Sequence, residues 1–163
     1  MVTRSRLQAL QSSRRQGIGR LLLLARRDFL ARLGELMGGP EEAVMAARGR
    51  LLPYIDIEGT RSVDLARRVG VTKQAVGRLV KDLEEDGLLC RESDGADGRA
   101  FLVKFTDAGL DYLTRLHKCI SQIERDYERT VGSQRMEVVR EVLMQIAYGA
   151  DGAPARGAGG KAG

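Results

Sequence analysis

A mostly α-helical domain with one short β-hairpin is the fold that this sequence predicts. Apolar residues recur at three- and four-residue spacing through most of residues 18–148, which is the period of an amphipathic helix. The period falls to two between residues 88 and 105, as in a pair of strands. The chain has only three Phe, four Tyr and no Trp, so we expect a core of Leu, Val, Ile and Ala.

The length and composition indicate one globular domain with appendages. A chain of 163 residues, 43% of them apolar and 30% charged, can bury a core of its own. Its longest apolar run, residues 21–25, is far too short to span a bilayer, and no secretory signal follows the basic amino terminus. The sequence therefore predicts a cytoplasmic protein.

The net charge of +5 favours an acidic partner, but the positive charge is unevenly distributed. Residues 1–38 carry eight Arg against two acidic residues, and residues 1–17 are predicted to form a basic arm or a helical extension. Residues 60–106 carry nine basic and eight acidic residues. Any contact of this second segment with nucleic acid must therefore depend on where its cations point.

Two helices are predicted before residue 55. From Ile18, apolar residues form a wide stripe that ends at Gly38, where the helix is expected to stop. Pro40 suits the first turn of a second helix, whose buried side continues to Leu51 and which Pro53 kinks or ends. Residues 55–61 follow, with a candidate for one short strand pairing.

Residues 62–87 carry the pattern of two short helices joined by a tight turn. Ser62 is predicted to cap the first helix and Gly70 to end it in a left-handed conformation, and Thr72 is predicted to cap the second helix. Apolar residues bury one side of the second helix. The other side is basic and begins at the helix amino terminus, where free N–H groups favour a phosphate. Its outward-facing residues are Lys73, Gln74, Gly77, Arg78 and Lys81.

This pattern is typical of a helix-turn-helix recognition unit, although an ordinary helical hairpin with a solvated basic face shares it. The β-hairpin that follows favours the first interpretation. Residues 88–92 and 99–105 form its strands, and residues 93–98 form a turn rich in Asp and Gly. Together, residues 55–106 are predicted to form a winged helix-turn-helix. Arg99 lies at the base of the wing tip, where it can reach a minor groove or a phosphate.

Two further amphipathic helices are predicted after Thr106, which can cap the first of them. Their apolar stripes cover residues 113–127 and 136–146 and are separated at Gly132. Residues 18–38 and 107–148 together offer more apolar surface than one small domain readily covers, which predicts dimerisation helices. Burial within a single chain explains the pattern equally well. Residues 149–163, rich in Gly and Ala, are predicted to be a disordered tail.

The residues of the wing carry a family resemblance. The run Asp97-Gly98-Arg99-Ala100, continued by Val103, Phe105-Thr106 and Gly109, resembles the multiple-antibiotic-resistance regulator (MarR) family of bacterial winged-helix repressors. Residues 71–76 match the start of the recognition helix of that family. The resemblance is specific over residues 60–109 and extends, by helix order, over a single MarR-like domain of residues 18–148. It implies a DNA-facing set of Thr72, Lys73, Gln74 and Arg78, a wing arginine at Arg99 and its acidic companion at Asp97; Ser62 and Lys81 complete the predicted DNA-binding residues.

The resemblance also implies the function. We expect a homodimeric, sequence-specific transcription regulator, a repressor that binds an inverted repeat in double-stranded DNA and releases it when a small aromatic or phenolic anion binds. The anion would enter a crevice between the dimerisation helices and the winged unit, where Arg48 could meet a carboxylate. The same side chains could serve equally well as core. The predicted lining residues are Phe29, Leu33, Met45, Arg48, Tyr54 and Tyr112.

Catalytic, metal and cofactor sites are not expected. His117 is the only histidine and has no evident nucleophile or carboxylate partner in sequence, and Cys90 and Cys119 are spaced for neither a metal site nor a disulfide framework. The sequence therefore predicts a protein that is not an enzyme and needs no cofactor. Two alternatives remain at this point: a winged helix that contacts protein, and a redox regulator that works through Cys90 or Cys119.

Overall fold

The computed structural model describes residues 14–38, 49–93 and 101–149, together with positions 4 and 11. Five α-helices and three strands are described, and they match the predicted class of a mostly helical winged-helix protein. In chain order they are α1 (Ile18–Met37), β1 (Thr60–Arg61), α2 (Ser62–Val69), α3 (Lys73–Glu85), β2 (Leu89–Ser93), β3 (Phe101–Phe105), α4 (Asp107–Val131) and α5 (Ser133–Tyr148).

The first helix ends where the sequence predicts. Gly38 takes a left-handed conformation with φ of 117°, and its N–H donates to the carbonyl oxygen of Gly34. Residues with a side chain rarely adopt such a φ, so the chain leaves the helix at this glycine. Residues 39–48, which hold most of the predicted second helix, lie outside the described residues.

The segment before the winged unit is a short 3₁₀ helix, Gly49–Tyr54, that includes Pro53. Leu51 and Leu52 are buried there, so the predicted apolar side is present although the described backbone is 3₁₀ and not α. The predicted short strand pairing is confirmed: β1 pairs antiparallel with β3, with Thr60 opposite Val103. The winged unit thus has a three-stranded sheet of order β1-β3-β2.

One apolar cluster lies beneath the helix-turn-helix. Leu65 on α2 and Val76 and Leu83 on α3 are at most 1% exposed, and they share this cluster with Leu51. Tyr112 of α4 also belongs to it, which attaches the carboxyl-terminal helices to the winged unit. Aliphatic side chains dominate the cluster, as the composition predicts.

The predicted break between the carboxyl-terminal helices is confirmed at Gly132, whose φ of 90° separates α4 from α5. The hydroxyl of Thr106 accepts a 3.0 Å hydrogen bond from the N–H of Gly109 and so caps α4. Helix α1 lies against α4, where Leu33 and Ile123 are buried. On α5 no described residue is buried, so its apolar side chains remain uncovered in a single chain.

Candidate DNA-binding surface

The turn between α2 and α3 is held by backbone and side-chain hydrogen bonds. Gly70 has φ of 74° and ends α2, while the N–H groups of Gly70 and Val71 both donate to the carbonyl oxygen of Ala66, at 3.0 and 3.2 Å. The hydroxyl of Thr72 accepts a 3.2 Å hydrogen bond from the N–H of Ala75 and caps α3. Both predictions, of Gly70 as helix stop and Thr72 as cap, are confirmed.

The predicted cap at Ser62 is wrong. Ser62 is the first residue of α2, and Arg61 occupies the capping position without a side-chain capping bond. Arg61 pairs with Leu102 in the sheet, and α2 follows it directly, so the helix begins at Ser62, one residue earlier than a cap at Ser62 predicts. Ser62 remains exposed at the amino end of α2.

The recognition helix α3 separates its two sides as predicted. Val76, Val80 and Leu83 are buried against the core. All of the predicted outward residues are exposed: Lys73, Gln74, Gly77, Arg78 and Lys81. In the described part of the chain, Lys73 and Arg78 have no ion-pair partner, whereas Lys81 pairs with Glu85 at 3.5 Å. The two cations nearest the start of α3 are therefore available to a ligand.

The described charged side chains of the wing hairpin form ion pairs within the protein. Arg91 on β2 pairs with Glu84 of α3 at 3.2 Å, and Lys104 on β3 pairs with Glu92 at 2.6 Å. The wing arginine Arg99 and its companion Asp97 fall in residues 94–100, outside the described residues. Of the described hairpin side chains, Val103 is buried and Phe101 is exposed.

A polar link that the sequence did not reveal holds the chain before β1 against α2. Arg68 donates a 3.0 Å hydrogen bond to the carbonyl oxygen of Tyr54 and pairs with Asp56 at 2.8 Å. The hydroxyl of Thr60 donates to the same carboxylate of Asp56 at 3.2 Å and accepts from the N–H of Asp56 at 2.8 Å. Arg68 and Tyr54 are 14 residues apart, and no local pattern signals such a contact.

Four of the six residues predicted to line an effector crevice are described. Leu33 and Tyr112 are buried, at 5% and 2% exposure, whereas Tyr54 is exposed and Phe29 half-buried. Met45 and Arg48 lie outside the described residues. A separate open groove of about 540 Å³ runs along α4 and shares no lining residue with the predicted set. It is lined by Ile57, Leu110, Leu113, Thr114, His117, Lys118 and Ser121.

The His and Cys residues lie on elements other than the recognition helix. His117 is exposed on α4, and its Nδ1 donates a 2.8 Å hydrogen bond to the carbonyl oxygen of Leu113. Cys90 is exposed on β2, and Cys119 is half-buried on α4. Among the described residues, no group of three or more His, Cys, Asp or Glu is placed to hold a metal ion. No helix in the described ranges is both long and apolar enough to cross a membrane.

A basic recognition helix on a packed helix-turn-helix, followed by a hairpin, defines a winged-helix DNA-binding protein. Comparison with known proteins then shows a family similarity. The family model described as MarR family matches residues 46–100, so this part of the chain is similar to the MarR family of transcriptional regulators.

Individual relatives agree with that similarity. The chain is 28% identical over 108 residues to the HTH-type transcriptional regulator TcaR of Staphylococcus aureus (strain Newman), covering 65% of this chain and 72% of that protein. A probable transcriptional regulator from Pseudomonas aeruginosa is similar in structure, with a TM-score of 0.60, 25% identity, and coverage of 80% of this chain and 97% of the other. The transcriptional repressor CouR, solved with a 23-mer DNA duplex, shares the fold with a TM-score of 0.63, 22% identity, and coverage of 83% and 95%. CouR from Rhodococcus jostii RHA1 has also been solved with p-coumaroyl-CoA.

Proposed function

We propose that this chain is a dimeric transcription regulator that places the recognition helices α3 of its two copies in successive major grooves of an inverted-repeat DNA site. The observation that carries the proposal is the exposed basic face of α3, on which Lys73 and Arg78 have no ion-pair partner in the described part of the chain. A buried apolar side fixes this helix, so the orientation of its basic face is set before any DNA is bound.

Each residue of that face has a role suited to its chemistry. The amino end of α3 offers backbone N–H groups to a phosphate, and Lys73 adds a charge there. Thr72 accepts from Ala75, so its hydroxyl proton is left to donate to a phosphate oxygen. Gln74 and Arg78 carry paired donors or acceptors that match adenine and guanine edges in a major groove. The remaining predicted residues are proposed to contact the DNA backbone and to position the wing on the DNA; they are Ser62, Lys81, Arg99 and Asp97.

The proposed dimer uses the helices that a single chain leaves uncovered. Four consecutive leucines of α1, residues 21–24, are each at least 44% exposed, and α5 has no buried residue. Exposed apolar surface of this extent is unusual for a monomer. We infer that a second copy of the chain buries these side chains of α1 and α5. We assign dimerisation to residues 18–38 and 107–148 and DNA binding to residues 55–106. CouR bound to a DNA duplex supports the second assignment by analogy of fold.

Selection from a random pool of double-stranded DNA tests the proposal. The purified full-length protein should enrich an inverted repeat whose half-site centres lie about 10 base pairs apart, one turn of the duplex. Arg99→Ala should weaken binding to that site mainly through the wing. Enrichment of no sequence, at a salt concentration where pool DNA is still retained, would show that the face of α3 does not read DNA.

We further propose that a small aromatic or phenolic anion regulates this binding from the crevice between α1, α4 and the segment around Tyr54. Phe29 is half-buried and Tyr54 exposed, so both offer accessible aromatic surface, and Leu33 and Tyr112 are buried apolar or aromatic side chains suited to the wall of such a crevice. Met45 and Arg48 are the remaining predicted lining residues, with Arg48 as the cation. The complex of CouR with p-coumaroyl-CoA makes a ligand with an aromatic group a reasonable starting class.

Salicylate titrated against the protein and its selected site tests the regulatory proposal. A ligand can act only through different affinities for the DNA-binding and released forms, and a coupling of about 1–3 kcal/mol would weaken DNA binding some 5- to 150-fold. Salicylate should raise the melting temperature and weaken DNA binding, and Tyr54→Ala should reduce both effects. His117→Ala, in the separate groove on α4, is the matched control; if it abolishes the response instead, the ligand binds in that groove.

A further inference from the structure

The end of the recognition helix is joined directly to the start of the dimerisation helix α4. The hydroxyl of Thr106 donates a 2.6 Å hydrogen bond to the carbonyl oxygen of Gly87, 19 residues earlier in the chain. The same hydroxyl oxygen accepts from the N–H of Gly109 at 3.0 Å. One side chain therefore caps α4 and binds the turn that follows α3, using both its donor and its acceptor capacity.

Gly109 brings the first turn of α4 against the same turn. A Cβ at this position would lie 2.1 Å from the carbonyl oxygen of Leu88, far inside any real contact distance. The obstructing atom belongs to the backbone, so no side-chain rotation could make room. The N–H of Thr106 also donates to this carbonyl oxygen, at 3.1 Å. Only glycine allows α4 to start so close to Leu88.

The turn on the other side of the contact is itself fixed to α3. The N–H of Leu88 donates to the carbonyl oxygen of Leu83 at 2.9 Å, and the N–H of Gly87 donates to that of Glu84 at 2.9 Å. Gly87 has φ of 74°, and Leu88 is buried in the core cluster. A displacement of α4 that carries Leu88 with it must therefore either move α3 as well or break these bonds.

We propose that Thr106 and Gly109 are positioning residues that lock the recognition helix to the dimerisation helix. The lock fixes the angle between α3 and α4 in each copy. In the dimer of the proposed function, on which this consequence rests, that angle sets the separation of the two recognition helices and hence the half-site spacing that the protein accepts. Neither residue needs to touch DNA for this role.

Three substitutions of Thr106 separate the lock from ordinary helix capping. Thr106→Ser keeps both the donor and the acceptor. Thr106→Asp keeps a good capping acceptor, but an ionised carboxylate cannot donate to the carbonyl oxygen of Gly87. Thr106→Val removes both functions. Thr114→Val is the matched control, because in the described part of the chain the Thr114 hydroxyl bonds within α4, to the carbonyl oxygen of Leu110 at 2.9 Å.

The angle between the helices can be followed without DNA by pulsed electron paramagnetic resonance. Nitroxides are placed on α3 and α4 through Lys81→Cys and Lys118→Cys, both exposed positions, with Cys90 and Cys119 replaced by Ser. Excess unlabelled chain keeps the observed spin pairs within one protomer, so the result does not depend on the oligomeric state. Thr106→Asp should broaden or shift the distance distribution, while Thr106→Ser and Thr114→Val should match the parent.

A narrow, unshifted distribution in Thr106→Asp would overturn the lock, since capping alone would then account for Thr106.

A second experiment measures affinity for the selected DNA site and for the same site with one base pair inserted at its centre. The insertion moves one half-site by about 3.4 Å and rotates it by about 34°. The parent and Thr106→Ser should lose about tenfold or more in affinity, and Thr106→Asp should lose much less. If the parent selects no DNA site, the proposed function fails, and the spin-label distances still decide whether the lock exists.

Discussion

The phenol of Tyr127 on α4 donates a 2.9 Å hydrogen bond to the carboxylate of Asp28 on α1. Arg32 donates to the same carboxylate oxygen at 2.8 Å, and its guanidinium lies 5.5 Å from the centre of the Tyr127 ring. The Tyr127 hydrogen bond, followed by that of Arg32, lowers the pKa of Asp28. Burial, followed by the bond to Asp28, raises the pKa of Tyr127. These side chains therefore join α1 to α4 best while Asp28 is ionised and Tyr127 is protonated.

Tyr127→Phe should accordingly lower the free energy of unfolding in a pH-dependent way. The pKa of Asp28 is depressed in the folded state, so its contribution is present above its ordinary value of 3.8 and is lost as the pH falls through the folded pKa. The pKa of Tyr127 is raised, so its contribution is present below 10.0 and is lost as the pH rises through the folded pKa. The difference between the parent and Tyr127→Phe should be largest between these limits and shrink at both.

Urea unfolding of the parent and Tyr127→Phe across acid, neutral and alkaline pH measures this difference. Tyr148→Phe, which removes a phenol from an exposed position on α5, is the control and should show no such profile. A stability difference that stays constant with pH would mean that Tyr127 acts through packing alone.

Replacing Gly77 with alanine should stabilise the fold and weaken DNA binding. Nothing in the described chain lies within 4 Å of a Cβ added there, and an exposed helical Gly→Ala change stabilises by about 0.5–1 kcal/mol. Gly77 lies on the exposed basic face of α3, where a methyl group would stand between the helix and DNA. We therefore expect Gly77→Ala to unfold at higher urea concentration and yet to bind its selected DNA less tightly. Equal or tighter DNA binding would show that the duplex does not approach α3 at this residue.

Gly109→Ala should have the opposite effect on stability. The added methyl group meets the carbonyl oxygen of Leu88, and such overpacking costs about 1–3 kcal/mol, because backbone must shift. The two alanine variants differ by the same single methyl group, so helix propensity is matched between them. Relative to the parent, the urea midpoint should rise for Gly77→Ala and fall for Gly109→Ala. Stabilisation of Gly109→Ala would contradict the tight contact at the start of α4.

Local signals predicted most of the fold from the sequence. Gly38, Gly70 and Gly132 end or separate helices, because a positive φ costs glycine little and other residues more. Thr72 and Thr106 cap helices through hydroxyls that accept from an N–H three residues later. The outward face of α3 followed from the spacing of its apolar residues. Each of these features is decided within about one helical turn of sequence.

Features that depend on contacts between distant residues were missed or misplaced. The cap at Ser62 failed because α2 begins one residue earlier than predicted, directly after Arg61, which pairs with Leu102 in the sheet. The bonds of Arg68 to Tyr54 and of Thr106 to Gly87 join residues 14 and 19 positions apart, so no periodicity reports them. Thr106 was identifiable as a cap and Gly109 as part of a family motif. The lock between α3 and α4 becomes visible only in the structure, where both residues contact the turn formed by Gly87 and Leu88.

Self-association should depend on the exposed apolar side of α5. Val142, Leu143 and Ile146 are 46%, 42% and 59% exposed in one chain. Leu143→Glu would bury an unpaired charge in the proposed dimer, which is strongly unfavourable. Light scattering should give twice the 17.9 kDa chain mass for the parent at micromolar concentration and a single chain mass for this variant. Gln145→Glu adds the same charge to a polar position of α5 and should leave the mass unchanged. A dimeric Leu143→Glu would locate the interface away from this side of α5.

Arg78 and Lys73 should differ in how their loss affects DNA binding. If Arg78 reads a base, Arg78→Ala should cost about 1–3 kcal/mol and relax the preference at one position of each half-site. Lys73 lies in the first turn of α3 and is suited to a phosphate, so Lys73→Ala should weaken binding to all sequences alike. It should also reduce the slope of log affinity against log salt by about 0.9 per chain.

Arg129→Ala, at the far end of α4 and paired there with Asp126, is the matched control and should change neither the base preference nor the salt slope. Affinities for a set of single-base variants of the selected site, each measured at several salt concentrations, separate the two effects. If Arg78→Ala keeps the affinity and the base preference of the parent, α3 enters the groove in a different orientation from the one its exposed residues indicate.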